Sequence, residues 1–156
     1  MSRKKRYFKN IILNDPKFGS YIISKFINYI LNNGKKNKAQ NIFYYSLNFF
    51  SLKFNKNPIY LFKKVLKNTQ PLFELKKKKI GGISYQIPYK ITLKRSLMFS
   101  MKWIIFFSKK RIENGFKNKL VGELIDSYLG ISNTIKKKDE IHKLSEINKA
   151  YSNFKL

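Results

Sequence analysis

The sequence predicts a mainly α-helical fold: a single domain of about six helices with one protruding β-hairpin, residues 72–92, between the third and fourth helices. Six segments carry apolar residues at the three- to four-residue spacing of an amphipathic helix. Between the third and the fourth of them, Gly81-Gly82 interrupts a stretch of alternating apolar and polar residues, as expected for a two-residue hairpin turn. Hydrophobic residues make up 43% of the chain, which is enough for a folded core. Phe43 and Trp103 lie in helical apolar stripes and are expected in that core.

Three helices are predicted before the hairpin. Ser20 is a candidate N-cap for the first helix, which should stop at Asn33-Gly34. The second helix carries one apolar stripe from Ala39 to Phe50. The third begins at Asn57-Pro58, a cap followed by a first-turn proline, and ends before Pro71.

Three more helices are predicted after the hairpin. Ser96 is a candidate cap for the fourth, which is apolar on nearly all sides from Leu97 to Phe107 and should be the central buried helix. It closes on Lys109-Lys110-Arg111, cations that suit the negative end of a helix dipole. The fifth helix starts near Phe116 and ends near Gly130, and the last carries a narrower apolar stripe.

The first strand of the hairpin is unusually basic. Lys76 to Lys79 place cations on both of its faces, because successive side chains of a strand point to opposite sides. With the two glycines as the turn, Ile80 pairs with Ile83 and Lys78 with Tyr85, so cations lie beside an exposed aromatic ring. This arrangement suits RNA, whereas the alternative is a solvated edge that blocks aggregation between strands.

The charge of the chain favours the RNA interpretation. It has 34 Lys+Arg against 8 Asp+Glu, a formal net charge of +26, well above the magnitude of about 2–8 that suits a small soluble domain. Between Pro16 and Arg111 the only acidic residue is Glu74, so the positive field calls for an anionic partner. Residues 1–12 are predicted to form a basic N-terminal arm without a core of its own.

Enzymatic chemistry is not expected. His142 is the only histidine, which excludes a multi-histidine metal site, and a surface or RNA-facing position is expected for it. Glu123 and Asp126 could share a helix face but lack an obvious third ligand. Gly81-Gly82 lacks the Gly-Lys-Ser/Thr ending of a phosphate-binding loop. We therefore predict no enzyme, no cofactor and no metal.

A membrane span is not predicted either. The longest purely apolar run, Trp103 to Phe107, is far shorter than the roughly 18 residues needed to cross a bilayer. The abundance of lysine, asparagine, isoleucine, phenylalanine and tyrosine indicates an AT-rich genome.

Ordered blocks along nearly the whole chain match a known family. They are Asp15-Pro16-Lys17-Phe18-Gly19-Ser20, Lys25-Phe26-Ile27-Asn28, Gly34-Lys35-Lys36, Ala39, Ile42-Phe43-Tyr44-Tyr45-Ser46, Gly81-Gly82, Tyr85-Gln86-Ile87-Pro88, Met101-Lys102-Trp103-Ile104, Lys137-Lys138, His142-Lys143 and Asn148-Lys149-Ala150. Through these blocks the chain resembles the bacterial or organellar small-subunit ribosomal protein seven. The resemblance implies a structural protein that binds the 3′ major domain of small-subunit ribosomal RNA, nucleates assembly of the subunit head and takes part in translation. It also implies that exit-site tRNA, mRNA and neighbouring head proteins including ribosomal protein eleven lie nearby, in a bacterial cytoplasm, a plastid or a mitochondrion.

The resemblance and the hairpin pattern together give a set of expected RNA-binding residues. These are Arg3, Lys4, Lys5, Arg6, Lys35, Lys36, Lys76, Lys77, Lys78, Lys79, Tyr85, Arg95, Lys102, Lys109, Lys110, Arg111, Lys136, Lys137, Lys138, His142, Lys143 and Lys149. Lysine replaces many arginines typical of the family, which keeps the charge but weakens planar stacking and bidentate phosphate contacts. The aromatic and arginine-rich ending of the family is only partly preserved, as Tyr151, Phe154 and Lys155.

Two other functional classes make different demands on the sequence. An architectural DNA-binding protein with a basic β-arm would need an apolar arm tip, which Ile80 and Ile83 could supply. A small nuclease or RNA-modifying enzyme would need clustered acids, a nucleophile or a cofactor loop, and the sequence offers none of these.

Overall fold

The computed structural model describes residues 13–154, which form six α-helices and one two-stranded antiparallel hairpin. In chain order the elements are α1 (Tyr21–Ile30), α2 (Lys36–Phe54), α3 (Pro58–Thr69), β1 (Phe73–Ile80), β2 (Ile83–Lys90), α4 (Leu93–Lys109), α5 (Phe116–Leu129), α6 (Asn133–Ile147) and a C-terminal 3-10 helix (Asn148–Phe154). The predicted mainly helical fold, with its hairpin between the third and fourth helices, is confirmed. The predicted basic arm, with Arg3, Lys4, Lys5 and Arg6, lies outside the described residues. The single-domain assignment stays a prediction.

The core is built on three phenylalanine rings from the first three helices. Phe26, Phe43 and Phe62 are fully buried, and their ring centroids lie 4.8 to 5.1 Å apart in tilted or edge-to-face pairs. Such pairs contribute about 0.5–1.5 kcal/mol each beyond the burial of their area. Leu120 and Leu124 of α5 belong to the same cluster. The prediction that Phe43 is a core residue is confirmed.

The helix starts agree with the sequence for α1 and α3. Ser20 occupies the N-cap position of α1, although its side chain makes no capping hydrogen bond. Asn57 caps α3, because its Oδ1 accepts the backbone N–H of Ile59 at 2.9 Å. Proline follows as the first residue of the helix, where its missing N–H is of no consequence.

Helix α4 differs from the prediction in its start and in its burial. It begins at Leu93, so Ser96 lies inside the helix, where its Oγ donates to the backbone carbonyl of Pro71 at 2.7 Å. The residues of α4 that are buried are Ser96, Ser100, Met101, Ile104, Ile105 and Ser108. Trp103 is only half-buried and Phe106 is 50% exposed. The expectation that Trp103 is a core residue is wrong, because Trp103 lies off the packed face of α4. Helix α4 packs on four other helices, as expected for a central helix, but it leaves one apolar face partly exposed.

The hairpin has the register that its glycines predict. Ile80 lies opposite Ile83 and Lys78 opposite Tyr85. Gly81 and Gly82 have φ angles of 56° and 88°, in the left-handed region that a type I′ turn requires. Both glycines are solvent-exposed, so the tip of the hairpin lies outside the helical core.

The base of the hairpin packs against the end of the chain. β1 contacts α6, and β2 contacts the C-terminal 3-10 helix. Ile87 is fully buried there, and the ring of Tyr85 lies 4.9 Å from that of Tyr151, centroid to centroid. The prediction of an exposed Tyr85 is therefore wrong, because a segment more than sixty residues later in the chain covers part of its ring.

Candidate nucleic-acid interface

Arg111 is enclosed by carboxylates rather than presented to a ligand. Its guanidinium lies 2.7 Å from Glu113, 2.7 Å from Asp126 and 3.3 Å from Glu123. Glu123 is fully buried and also accepts a hydrogen bond from the hydroxyl of Thr134 at 2.6 Å. The hydrogen bond from Arg111 lowers the pKa of Glu113, and hydrogen bonds to the carboxylates raise the pKa of Arg111. The guanidinium thus ties the loop after α4 to α5. These contacts leave it few free donors for the expected RNA-binding role.

Two other acidic residues are also engaged within the fold. Asp15 is buried and accepts hydrogen bonds from the backbone N–H of Phe18 at 3.0 Å and from the hydroxyl of Tyr44 at 2.6 Å. Burial, together with this hydrogen bond, raises the pKa of Tyr44 to about 12. Glu74 accepts from Arg95 Nε at 2.6 Å and lies 3.3 Å from Lys76 Nζ. These two carboxylates are thus satisfied within the fold and leave little negative charge near the hairpin and α2.

The four lysines of β1 divide into two unlike pairs. Lys77 and Lys79 pair with Gln86 and Ser84, and all four residues are exposed on one face of the hairpin. The opposite face carries Lys76 and Lys78, since side chains alternate along a strand.

That opposite face is engaged with the rest of the molecule. Lys76 pairs with Glu74, and its Nζ lies 4.8 Å from the ring centroid of Tyr89. Lys78 is half-buried, opposite Tyr85. Within residues 13–154, Lys77 and Lys79 have no carboxylate partner. They are the hairpin cations best placed to meet an outside anion.

A second basic region lies where α1 and α2 meet the end of α4. Lys35, Lys38 and Lys109 line a groove of about 340 Å³ together with Asn32 and Asn33. Lys36, the first residue of α2, is also exposed beside it. The structure therefore brings Lys35 and Lys109 together although they are distant in sequence. Lys38 was not among the predicted residues, and its only signal was its place two residues after the predicted lysine pair.

The outer face of α4 combines cations with aromatic rings. Arg95 lies over the ring of Phe99 at 5.3 Å, and Lys110 over that of Phe106 at 4.4 Å, each measured to the centroid. Lys102 is exposed and lies 6.0 Å from the ring centroid of Tyr29. Phe106 was predicted to be part of a buried helix, but its ring is 50% exposed.

The predicted lysines of α6 are used in different ways. Lys136 and Lys143 are exposed, and Lys149 is exposed in the 3-10 helix that follows. Lys137 forms an ion pair with Glu140 one turn on, at 2.9 Å. Lys138 is half-buried and donates to the backbone carbonyl of Asn68 at 2.9 Å. Lys138 therefore links α6 to α3.

His142 contacts the base of the hairpin. Its ring is half-buried, and its Nε2 accepts the backbone N–H of Leu72 at 3.0 Å. The ring also meets Phe73 edge-on, with centroids 6.2 Å apart. Burial lowers the pKa of His142, and the nearby charge of Lys138 lowers it further. His142 is therefore only partly exposed and accepts a hydrogen bond at the base of β1, and its expected surface or RNA-facing role stays a prediction.

Metal-ligand clusters and membrane-spanning helices are both absent from residues 13–154. Among residues 13–154 there is no group of three or more His, Cys, Asp or Glu side chains that could hold a metal ion. Across the same range, none of the helices has both the length and the apolar character needed to cross a bilayer.

The chain is similar over nearly its whole length to one family of known proteins. The family model for ribosomal protein S7p/S5e matches residues 2–149. Small ribosomal subunit protein uS7 of Carsonella ruddii (strain PV) is 70% identical over 156 residues and is covered completely, as is this chain. The uS7 proteins of Cellvibrio japonicus (strain Ueda107) and Hahella chejuensis (strain KCTC 2396) are 37% and 38% identical over 155 residues, with 99% of each chain covered. The chain therefore belongs to the S7p/S5e family of ribosomal proteins, which are structural components of the small ribosomal subunit and not enzymes.

Proposed function

We propose that this chain binds small-subunit ribosomal RNA directly, through its 3′ major domain, and nucleates assembly of the subunit head. The observation that carries the proposal is the separation of charge in the structure. Asp15, Glu74 and Glu123 are engaged in hydrogen bonds or ion pairs within the fold, whereas lysines of the hairpin, the α1–α2 loop and α4 are exposed. Phosphate contacts supply most of the affinity of such surfaces.

Two lysine groups form the proposed phosphate-binding surface. The first is the hairpin face that carries Lys77 and Lys79, with the polar side chains of Ser84 and Gln86 beside them. The second is the groove of Lys35, Lys38 and Lys109. Arg111 and His142 are instead engaged within the fold, with Asp126 and with the backbone N–H of Leu72 respectively.

The neighbours implied by the resemblance belong to the same proposal. Exit-site tRNA and mRNA are proposed near the hairpin and the C-terminal region, and ribosomal protein eleven is proposed as a neighbour of that region. A groove of about 440 Å³ between the hairpin base and α6, lined by Leu72, Phe73, Pro88, His142 and Lys149 among others, supports a contact with another macromolecule there.

Of the three compartments considered, a bacterial cytoplasm is favoured over a plastid or a mitochondrion. The relatives compared above are bacterial proteins, and one of them is 70% identical over its whole length. We propose a bacterial ribosome rather than that of a plastid or a mitochondrion. An architectural DNA-binding role has no comparable support.

The test is binding of the full chain to a transcript of the 3′ major domain, followed across a salt series. If roughly ten phosphates are neutralised, affinity should fall by several orders of magnitude between 50 and 200 mM salt. A transcript of the 5′ domain of the same RNA is the matched control and should bind much more weakly. Equal affinity for the two transcripts, or a flat salt response, would contradict the proposal. Retention of the protein on small subunits after a high-salt wash is the corresponding test in the cell.

A further inference from the structure

The solvent side of α4 carries more aromatic surface than folding requires. Arg95, Phe99, Lys102, Trp103, Phe106 and Lys110 follow one another at intervals of one to four residues. At about 100° per residue they fall within a single arc about 100° wide. The serines and isoleucines that pack against the body lie on the opposite side of the helix. These six residues are called the outer α4 face below.

The rings of this face lie beside cations and beside one another. Arg95 covers Phe99 at 5.3 Å and Lys110 covers Phe106 at 4.4 Å. Phe99 and Trp103 are stacked, with centroids 5.7 Å apart and planes inclined by 27°. Phe106 is 50% exposed. Contiguous apolar patches at a surface often mark interaction sites.

We propose that the outer α4 face binds unpaired bases of an RNA strand, which stack on Phe106 and on the Phe99–Trp103 pair. This inference rests on the proposed function and adds a base-stacking element to its phosphate contacts. Every nucleobase has a π face, so aromatic platforms of this kind bind single strands with little dependence on sequence. Lys102 and Lys110, which lie beside the rings, would meet the phosphates of the same strand, whereas Arg95 is already paired with Glu74.

The charge of this face favours RNA over a protein partner. No acidic residue occurs between Leu75 and Ile112 in the sequence, so the helix offers no carboxylate to a basic protein neighbour. An apolar protein surface would have to bury Arg95 and Lys110 against its own side chains, at a cost in desolvation. In a strand of RNA the bases can stack on the rings while the phosphates contact the cations.

Trp103 provides a direct probe, because it is the only tryptophan of the chain. The full chain is titrated with a ten-nucleotide oligouridine and, in parallel, with an abasic oligomer of the same length and charge. Both should bind through their phosphates, but only the oligouridine should quench the emission of Trp103 at equal occupancy. Equal quenching by the two oligomers would overturn the inference.

Phe106→Leu tests the contact independently of the fluorescence. Leucine keeps an apolar side chain on the helix, and the fold should be preserved because the ring is half exposed. Affinity for oligouridine should fall by about 5- to 150-fold with the salt slope unchanged, as expected for the loss of one stacked base. Tyr60→Leu, at a ring on α3 that is 57% exposed, is the matched control and should bind as the parent does.

The outcomes separate this inference from the proposed function. If Phe106→Leu binds oligouridine as tightly as the parent, the stacking role is wrong and the rings belong to a protein contact. The 3′ major domain transcript would still bind with a steep salt slope in that case. If the transcript itself is not bound, the proposed function is what fails.

Discussion

Arg111 and the hairpin lysines carry the same charge and put it to opposite uses. Arg111 meets three carboxylates within 3.3 Å, and its side chain is 22% exposed. Lys77 and Lys79 point away from the body on a two-stranded hairpin and have no carboxylate within reach in the described chain. A net charge of +26 therefore does not by itself locate a binding surface. What matters is whether the fold already supplies the counter-charge.

The largest expected effect is the loss of stability when Arg111 is replaced. Arg111→Ala should lower the free energy of unfolding by about 3 kcal/mol, because it leaves the fully buried Glu123 without its cation. Chemical denaturation measures this loss. Arg111→Lys, the matched control for charge, should recover only part of it, since an ammonium cannot reproduce the planar fork. A variant as stable as the parent would show that the carboxylates need no partner.

The next effect concerns the hairpin and should appear in binding alone. Lys77→Gln together with Lys79→Gln should weaken binding to the 3′ major domain by about tenfold and reduce the salt slope by at most about 2, for two phosphate contacts at 0.7–0.9 each. Thermal stability should not fall, because both side chains are exposed.

The other pair of hairpin lysines supplies the control for that experiment. Lys76→Gln together with Lys78→Gln removes the same formal charge from the face that packs on Glu74 and on tyrosine rings. Its effect on the salt slope should be smaller. Equal slopes for the two double variants would mean that only total charge matters and that the hairpin has no binding face.

A smaller effect is expected where the hairpin meets the chain end. Tyr85→Ala and Tyr151→Ala should each destabilise the protein, and the double variant should lose less than their sum. The difference, about 0.5–1.5 kcal/mol, is the energy of the ring pair. Denaturant unfolding of the four proteins measures it. Strict additivity would mean that the two rings do not support each other.

The smallest effect concerns His142 and pH. Its pKa is lowered in the folded protein, so below pH 6.5 the unfolded chain takes up the proton first, and stability should decrease as the pH falls. Protonation also removes the acceptor for the N–H of Leu72. Unfolding midpoints at pH 7.5 and 5.5 measure the change, and no second histidine complicates the assignment. His142→Gln, which offers an acceptor that does not titrate, should flatten the pH dependence. A midpoint that does not change with pH in the parent would contradict this role.

Local patterns predicted the elements and the turn, because helix period and glycine chemistry act over a few residues. The register of Ile80 with Ile83 follows from the two glycines alone. The period of α4, in contrast, could not tell its packed face from its exposed face. Phe106 looks like a core residue in the sequence, and Ser100 does not, yet the serine is the buried one.

Several predicted site residues make contacts with residues distant in sequence, which the sequence did not reveal. The carboxylates around Arg111 include two that lie 12 and 15 residues later, on the next helix. Tyr85 is covered by Tyr151, and His142 accepts from Leu72, 70 residues earlier. Hydrophobic period and charge runs carry no information about such pairings. They did identify exposed lysines such as Lys35, Lys77 and Lys109, whose exposure needs no partner within the fold.

The ion pairs have a consequence for how this chain can change over evolution. Arg3, Arg6, Arg95 and Arg111 are its only arginines, and the two that the structure describes both hold carboxylates, Arg95 with Glu74 and Arg111 with Glu113 and Asp126. A lineage that exchanges arginine for lysine can do so wherever only charge is required, because a phosphate accepts either cation. At these two positions the exchange would loosen the joint between the hairpin and α4 or between the α4–α5 loop and α5. Genomic drift toward lysine should therefore proceed across the outer surface and stop at these two joints.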